Sequence, residues 1–294
     1  MSANLSATRK SYYNLQPVDT HTFFLSGPVS LRVYASTEPR NLKIADLQKG
    51  LILVVNGTEA VGEGTGFGLP VLVYSDETYF SGSSKLHVSQ RGDCCVVIKE
   101  FMMDRVARNS LRNVTLENRA ARSFIERLSD LYQAHPRFRF LTLKDLTGRM
   151  SIGKAFLKAP SKGKVRVTYI VDKSRIMVKA DFKKLEKTGL QKIFMLNEQG
   201  TGFFRRYTDS LGTELRDDKI GAWDGTGGEW ACLQTLRGEI GFRLWRVKNG
   251  VLHRGREFLE GSLDWVGLDY EISSRSDVFE YVIDVLGGEV PWRL

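Results

Sequence analysis

The residues best suited to acid–base chemistry lie late in the chain, in the stretch Asp264-Trp-Val-Gly-Leu-Asp-Tyr-Glu-Ile272. In an extended chain, side chains alternate between two faces. Asp269 and Glu271 then share a face with Trp265, and the opposite face is apolar. Residues two apart on a strand lie about 6.6 Å apart at Cα, which suits the ~5–9.5 Å separation of glycosidase carboxyl pairs. We therefore name Asp269 and Glu271 as candidate catalytic residues; the alternative is a pair of solvated acids on a strand.

A second stretch, Trp223-Asp-Gly-Thr-Gly-Gly-Glu-Trp230, sets two tryptophans and two carboxylates around glycines. Loops of this composition can present aromatic rings beside hydrogen-bond acceptors. A sugar offers an apolar C–H face and a rim of hydroxyls to such a surface. Trp223, Glu229 and Trp230, together with Trp265, are therefore candidate substrate-binding residues. The alternative is a turn whose tryptophans pack into the core, where tryptophan is usually found.

The most unusual stretch is Gly62-Glu-Gly-Thr-Gly-Phe-Gly-Leu-Pro70, with a glycine at every second position. As a strand it would expose one bare face, which indicates a bulge or bend, or the close approach of a ligand or another backbone. It is not a dinucleotide-binding motif, because Phe67 stands where the third glycine belongs, and it is not a P-loop. Glu63, with Tyr79 from the following Tyr79-Phe80-Ser81-Gly82, joins the candidate binding residues.

The charge balance favours anionic partners. The chain has 294 residues, with 43 basic and 34 acidic residues and a net charge of +9. This excess suits nucleic acid, acidic polysaccharide or phosphorylated ligands, but it is not concentrated in one run. Arg205 or Arg206 would pair with the carboxylate of an anionic sugar.

Several kinds of chemistry lack the residues that they need. The four histidines are scattered and the three cysteines have no metal-type spacing, so no metal site is predicted. There is no G-x-S-x-G nucleophile motif, and we predict no cofactor. No apolar run reaches the roughly 18 residues of a membrane span, and the start lacks a signal-peptide core. We expect a cytoplasmic protein that does not enter the membrane.

The elements around these residues are predicted to be β-hairpins. The strongest signal is Leu51–Val55, Asn56-Gly57 and the segment from Thr58, since Asn-Gly suits a type I′ turn. Close hairpins favour antiparallel pairing. The other predicted hairpins pair segments 71–74 with 78–80, 85–89 with 94–98, 165–171 with 176–182, 192–196 with 203–207, and 242–247 with 251–258. Single strands are predicted at 31–34, 42–44, 263–272 and 278–286.

One long helix is predicted at 115–134, where apolar residues recur at helical spacing before His135-Pro136. The predicted fold class is mainly β: a large antiparallel β-sandwich with this one inserted helix. Residues 1–16 read as a polar leader without fixed order. Residues 17–294 read as a single β domain with a helical insertion at about 105–150.

The chain resembles the galactose-mutarotase-like supersandwich proteins, a group of sugar epimerases and of domains of polysaccharide lyases and hydrolases. The resemblance covers about 40–286 as a strand pattern and rests on GEGTGFGLP at 62–70, VRVTYIVDKSRIMVKADF at 165–182 and FRLWRVKNGVLHRGREF at 242–258. It implies a substrate bound over a concave sheet. Mutarotases of this group use a histidine and a late carboxylate, which implies His87 or His253 with Glu271.

These sequence features suggest three alternative functions. The first is a carbohydrate-binding or carbohydrate-active protein of epimerase, hydrolase or lyase type, with a carboxylate as base and a histidine or tyrosine as acid. The second is a basic nucleic-acid or phosphoprotein binding module, in which phosphates meet the positive charge and bases stack on aromatics. The third is a structural or assembly protein whose glycine-rich strand packs against a partner chain.

Overall fold

The structure, a computed structural model, describes residues 5–6, 17–25, 28–36, 48–75, 77–91, 94–109, 154–259 and 263–287. Twenty strands occur in these ranges. In chain order they are β1 (Leu5–Ser6), β2 (Pro17–Phe24), β3 (Val29–Ser36), β4 (Ile52–Val55), β5 (Thr58–Glu59), β6 (Gly66–Tyr74), β7 (Thr78–Arg91), β8 (Cys94–Asn109), β9 (Lys154–Lys158), β10 (Lys164–Asp172), β11 (Arg175–Asp181), β12 (Leu190–Gln199), β13 (Arg206–Asp209), β14 (Glu214–Arg216), β15 (Asp224–Gly225), β16 (Trp230–Gln234), β17 (Gly241–Trp245), β18 (Gly250–Leu259), β19 (Leu263–Ser273) and β20 (Val278–Leu286).

These strands form two sheets. The smaller has the order β1-β2-β3-β4-β5, and the larger has the order β14-β13-β16-β17-β20-β11-β10-β8-β7-β6-β12-β19-β18-β15, with β9 paired to β8. Every pairing assigned between the described strands is antiparallel. The prediction of a mainly β chain with large antiparallel sheets is confirmed.

The predicted helix at 115–134 and the predicted strand at 42–44 lie outside the described residues. Within the described ranges the only helical element is a 3-10 turn, Asp217–Ile220. No described helix has the length and apolar character needed to cross a membrane. At the edges of the predicted insertion, β8 continues through Asn109 and β9 begins at Lys154. In the predicted polar leader, Leu5 and Ser6 pair with Phe23 and Thr22.

Local turn chemistry explains the hairpins that the sequence predicted correctly. Asn56 and Gly57 take φ values of 50° and 78° between β4 and β5, as a type I′ turn requires. The pairings β6 with β7, β7 with β8 and β10 with β11 also follow the prediction. The last predicted strand, 278–286, matches β20.

Two predicted hairpins are wrong. β12 runs through the presumed turn at 197–200 and pairs with β6 and β19 instead of the segment at 203–207. β17 and β18 do not pair with each other, although Asn249-Gly250 lies between them; β17 pairs with β16 and β20, and β18 with β15 and β19. In both cases the strands pair with other partners in the sheet and not with the neighbour along the chain.

The glycine stretch is only partly a strand. β6 begins at Gly66, and the residues before it form turns. The predicted bare face is covered by the protein itself: Leu51 exchanges backbone hydrogen bonds with Phe67, and a Cβ on Gly66 would lie 2.7 Å from the Leu51 carbonyl oxygen. The period-two interpretation is therefore wrong for 62–65. The close approach that the glycines permit is to the chain's own backbone.

The core lies between distant parts of the larger sheet. Phe67 of β6 packs edge to face on Phe242 of β17, with ring centroids 5.0 Å apart, and Phe242 also contacts Phe204. β6 and β17 are separated by five strands in the sheet order. The sheet therefore curves so that these two strands share one apolar core.

Candidate functional site

Three neighbouring strands, β12, β19 and β18, carry the chemically interesting side chains on one face. Cross-strand register places Phe194 beside Glu271, Asp269 beside His253, and Glu198 beside Gly267. Paired residues point to the same side of an antiparallel sheet. The alternate residues of these strands, such as Ile193, Tyr270 and Leu252, are buried in the core. The predicted faces of β19 are therefore correct, and the polar face holds the candidate site.

Glu271 lines an open groove of about 1020 Å³ at one end of this face. Its carboxylate forms an ion pair with Lys192 Nζ at 2.7 Å and lies 3.6 Å from His253 Nε2. Trp245 also lines the groove. The polar residues around them are Gln191, Lys192, Glu229, Arg246, Lys248, Asn249, Ser273 and Ser274.

His253 lies behind Glu271, under a tryptophan. The Trp223 indole stacks on the imidazole at 4.9 Å with 17° between the planes, and Phe194 meets Trp223 edge to face at 5.6 Å. Both ring nitrogens of His253 are buried without a hydrogen-bond partner among the described residues. Burial lowers the pKa of His253 and the nearby Glu271 opposes that shift. The imidazole is therefore neutral at neutral pH.

Asp269 shares the face with Glu271 but is completely buried. Its Oδ1 accepts a hydrogen bond from the Asn197 backbone N–H at 2.6 Å, and Oδ2 has no partner in the described part of the chain. Glu198 lies close by: a Cβ on Gly267 would meet Glu198 Cγ at 2.8 Å and Asp269 Oδ2 at 3.1 Å. Burial, and then the charge of Glu198, raise the pKa of Asp269. Asp269 is thus a buried carboxyl that favours its protonated form.

The Glu198 carboxyl connects this pair to the glycine stretch. Glu198 Oε2 accepts a hydrogen bond from the Thr65 backbone N–H at 3.2 Å. Burial raises the pKa of Glu198, while Thr65 and Lys49 oppose the shift. Lys49 Nζ donates to the Gly64 carbonyl, and burial lowers the pKa of Lys49 to about 8. Polar side chains of the interior therefore hold the turn at 62–65.

Asn197 fixes the start of β6 from the same interior. Its Oδ1 accepts hydrogen bonds from the Gly68 backbone N–H at 3.1 Å and from the Tyr281 hydroxyl at 2.8 Å. Its Nδ2 donates to the carbonyls of Met195 and Leu268, both at 3.1 Å. The buried side-chain amide of Asn197 therefore has hydrogen-bond partners for both its oxygen and its nitrogen, and its role is structural.

The predicted binding residues divide between the groove and other places. Glu229 lines the groove. Trp223 stacks on His253 behind Glu271 and does not line the groove. Trp230 is the cross-strand partner of Trp245. Trp265 lies on the same strand face as Asp269, beside Gly255.

The remaining predicted residues lie elsewhere. Tyr79 is buried and packs edge to face on Tyr74 at 5.3 Å. Glu63 is half-buried, and its backbone N–H donates to the Asp264 carbonyl. Arg205 and Arg206 pair with Asp217 and Glu214 on the surface, at 2.7 and 2.8 Å. These four residues do not line the groove.

His87 and His253 are also separated. His87 is exposed on β7 and lines a small groove with Glu100 and Arg166. Two strands, β6 and β12, lie between β7 and β19. The structure therefore brings His253, and not His87, to Glu271.

Sequence reasoning missed Lys192, Trp245 and Glu198. Lys192 and Trp245 lie in predicted strands, but only the long-range pairings of β12 with β19 and of β17 with β20 place them. Glu198 was assigned to a turn. A signal was present for Trp245, because strand alternation puts it on one face with Arg243.

Comparison with known proteins gives little further information. No protein-family model matches the chain, and no curated protein matches it. Two solved structures are similar at low sequence identity. Slr1438 from Synechocystis sp. PCC 6803, a structural genomics target, has a TM-score of 0.36 and 10% identity over 95% of this chain and 99% of its own. HI1317 has a TM-score of 0.39 and 7% identity over 96% of this chain and 99% of its own.

Proposed function

We propose that the protein binds a saccharide in the groove beside Glu271, on a sheet of the supersandwich type. The observation that carries the proposal is the combination of Trp245 with the Glu271 carboxylate, which is paired with Lys192 and lies beside His253. An indole offers an apolar surface for the C–H face of a sugar, and a fixed carboxylate accepts hydrogen bonds from its hydroxyls.

The rim of the groove supports this ligand class. Amide, hydroxyl, ammonium and guanidinium groups from Asn249, Ser273, Lys248 and Arg246 surround the opening. Such groups can both donate and accept hydrogen bonds, as sugar hydroxyls do. The basic members also suit a sugar that carries a negative charge.

The groove contains what an exchange of sugar anomers requires. In this reaction the Glu271 carboxylate takes the proton of the anomeric hydroxyl while the Lys192 ammonium protonates the ring oxygen. The bond between the anomeric carbon and the ring oxygen then breaks to give the open-chain aldehyde, and the reverse steps close the ring on the other face. His253 is a positioning residue that lies behind the carboxylate, with its Nε2 3.6 Å from Glu271. Acid–base groups placed in this way typically contribute 10²–10⁴-fold to a rate.

The test separates binding from chemistry. We expect a panel of neutral and acidic sugars to raise the melting temperature of the wild-type protein, and Glu271→Gln, whose amide still accepts one hydrogen bond, to reduce that shift without abolishing it. NMR exchange spectroscopy on the bound sugar should show faster anomer exchange with the wild type, lowered at least ~100-fold by Glu271→Gln. Glu280→Gln is the control, since Glu280 is an exposed partner of Lys179.

A panel in which no saccharide shifts the melting temperature would contradict the proposal. Binding without faster anomer exchange would leave the protein a saccharide-binding protein and remove the proposed chemistry.

A further inference from the structure

Next to the groove, the larger sheet carries two tryptophans with an arginine between them. Trp230 of β16 and Trp245 of β17 are cross-strand partners. The Arg243 guanidinium lies 4.4 Å from the centroid of the Trp230 ring and 5.7 Å from that of Trp245. The alternate residues, Phe242 and Leu244, are fully buried in the core. We call Trp230, Arg243 and Trp245 the tryptophan–arginine platform.

Within the described ranges Arg243 makes no ion pair, although Asp284 is its cross-strand neighbour. No carboxylate lies within ion-pair distance of Arg243 in the part of the chain that the structure describes. Its Nε is buried and has no hydrogen-bond partner among the described residues. Arg243 as a whole is only half-buried. Because it makes no ion pair with any described residue, its guanidinium is available to an acceptor supplied from outside.

The platform is continuous with the groove. Trp245 belongs to both, and Glu229, which lines the groove, directly precedes Trp230. Trp245 is fixed in place, because its Nε1–H donates to Asp284 Oδ2 at 2.6 Å. A ligand longer than one sugar can therefore leave the groove across a rigid indole and reach Arg243.

We propose that the ligand is an acidic oligosaccharide, and that the tryptophan–arginine platform is a second sugar subsite whose Arg243 pairs with a uronate carboxylate. This inference rests on the proposed saccharide function of the groove. Guanidinium and carboxylate match in geometry and form strong charge-assisted hydrogen bonds, and the indoles offer stacking surfaces to the sugar rings.

The same features fit nucleic acid less well. Single-strand binding needs a positive track that follows several phosphates. Here the cations of the groove alternate with the carboxylates of Glu229 and Glu271, and Asp284 is the cross-strand neighbour of Arg243, so the basic groups do not form a continuous track. One carboxylate per sugar, met by one arginine, is the better match in charge.

The experiment compares ligand length with the intact protein. Calorimetry would measure binding of galacturonic acid and of its dimer and tetramer, with maltotetraose as the neutral chain. We expect the tetragalacturonate to bind at least about 10-fold more tightly than the monomer, because it adds a charge-assisted hydrogen bond to Arg243. Arg243→Gln should remove this gain and leave monomer binding unchanged. Arg166→Gln, on a distant strand and paired with Glu100, should keep it.

A measurement on the wild type covers the case in which Arg243→Gln fails to fold. The indole N–H signals of Trp230 and Trp245 should both shift with the tetramer, whereas the monomer should shift only that of Trp245.

Each contrary outcome has its own meaning. If sugars bind but the tetramer gains nothing over the monomer, the second subsite is refuted and the proposed function stands. If no sugar binds at all, the proposed function fails first. If the ten-nucleotide strand dT10 binds more tightly than the tetramer and loses that affinity in Arg243→Gln, the platform is a nucleic-acid site and the inference is overturned.

Discussion

Two carboxyls on one strand face have very different surroundings in this protein. Glu271 lies at the groove, forms an ion pair with Lys192 and has His253 beside it. Asp269, two residues earlier, is completely buried next to Glu198. Like charges at close range in a desolvated site cannot both ionise cheaply. The buried pair therefore retains a proton, whereas the groove carboxyl forms an ion pair with Lys192.

The buried pair predicts a dependence of stability on pH. Burial raises the pKa of Glu198 and Asp269 in the folded protein, so between the ordinary carboxyl pKa of about 4 and the raised value the folded state holds a proton that the unfolded chain has lost. Stability must then fall as pH rises through this window. We expect a loss of about 1–3 kcal/mol between pH 5 and pH 8, because one pKa unit corresponds to about 1.4 kcal/mol.

Glu198→Gln should reduce that loss by at least half, since a neutral amide cannot repel the Asp269 carboxylate. The measurement is urea unfolding at several pH values. Glu280→Gln, at an exposed site paired with Lys179, should keep the wild-type dependence. Equal pH dependence in the wild type and Glu198→Gln would show that the two carboxyls are not coupled.

At the scale of the element, the glycines of β6 differ from those of ordinary turns. Gly68 and Gly57 both have φ of +78°. Substitution by alanine therefore adds the same backbone strain at each position, about 1–2 kcal/mol. At Gly68 a Cβ would also lie 2.8 Å from the Tyr169 hydroxyl, whereas at Gly57 nothing lies within 4 Å.

We therefore expect Gly68→Ala to destabilise the protein by roughly 2 kcal/mol more than Gly57→Ala, because it adds a clash in the core to the backbone strain. Thermal and urea unfolding of the two variants measure the difference. Equal losses would mean that Tyr169 moves aside without cost.

Sequence patterns predicted the elements whose cause is local. The Asn56-Gly57 turn and the alternation in β10, β11 and β20 are set by neighbouring residues. The hairpin of β17 with β18 was predicted on the same grounds and is absent. Turn residues permit a hairpin but do not decide which strands pair when larger apolar surfaces are available elsewhere.

The candidate site was predictable only within a single strand. Alternation correctly put Asp269 and Glu271 on one face of β19, and His253 was one of two histidines suggested for Glu271. Lys192 and Trp245 come from strands that pair with partners roughly 80 or 40 residues away in the chain. Burial of Asp269 depends on Glu198, which the sequence pattern assigned to a turn, so the division of roles between the two carboxyls required the structure.

For the whole molecule, the contact of Phe67 with Phe242 joins strands far apart in the larger sheet. If this contact closes the core, the two positions should be energetically coupled. We expect a double-mutant cycle with Phe67→Leu and Phe242→Leu to show a coupling of about 0.5–1.5 kcal/mol. Met177→Ala, at an exposed residue of β11, should be additive with Phe67→Leu. Additivity of both pairs would mean that the sheet does not close through this contact.

The link at 246–249 joins β17 to β18, which lie in different parts of the larger sheet, and it lines the groove. The groove therefore exists only after both parts have assembled, and its strand β12 is itself paired with β6, Leu190 with Tyr74. Contacts between residues so distant in sequence carry a large loop-closure cost and form slowly. The groove should accordingly be among the last regions to form when the chain folds. The rate at which ligand binding recovers during refolding should therefore equal the rate at which the native state forms.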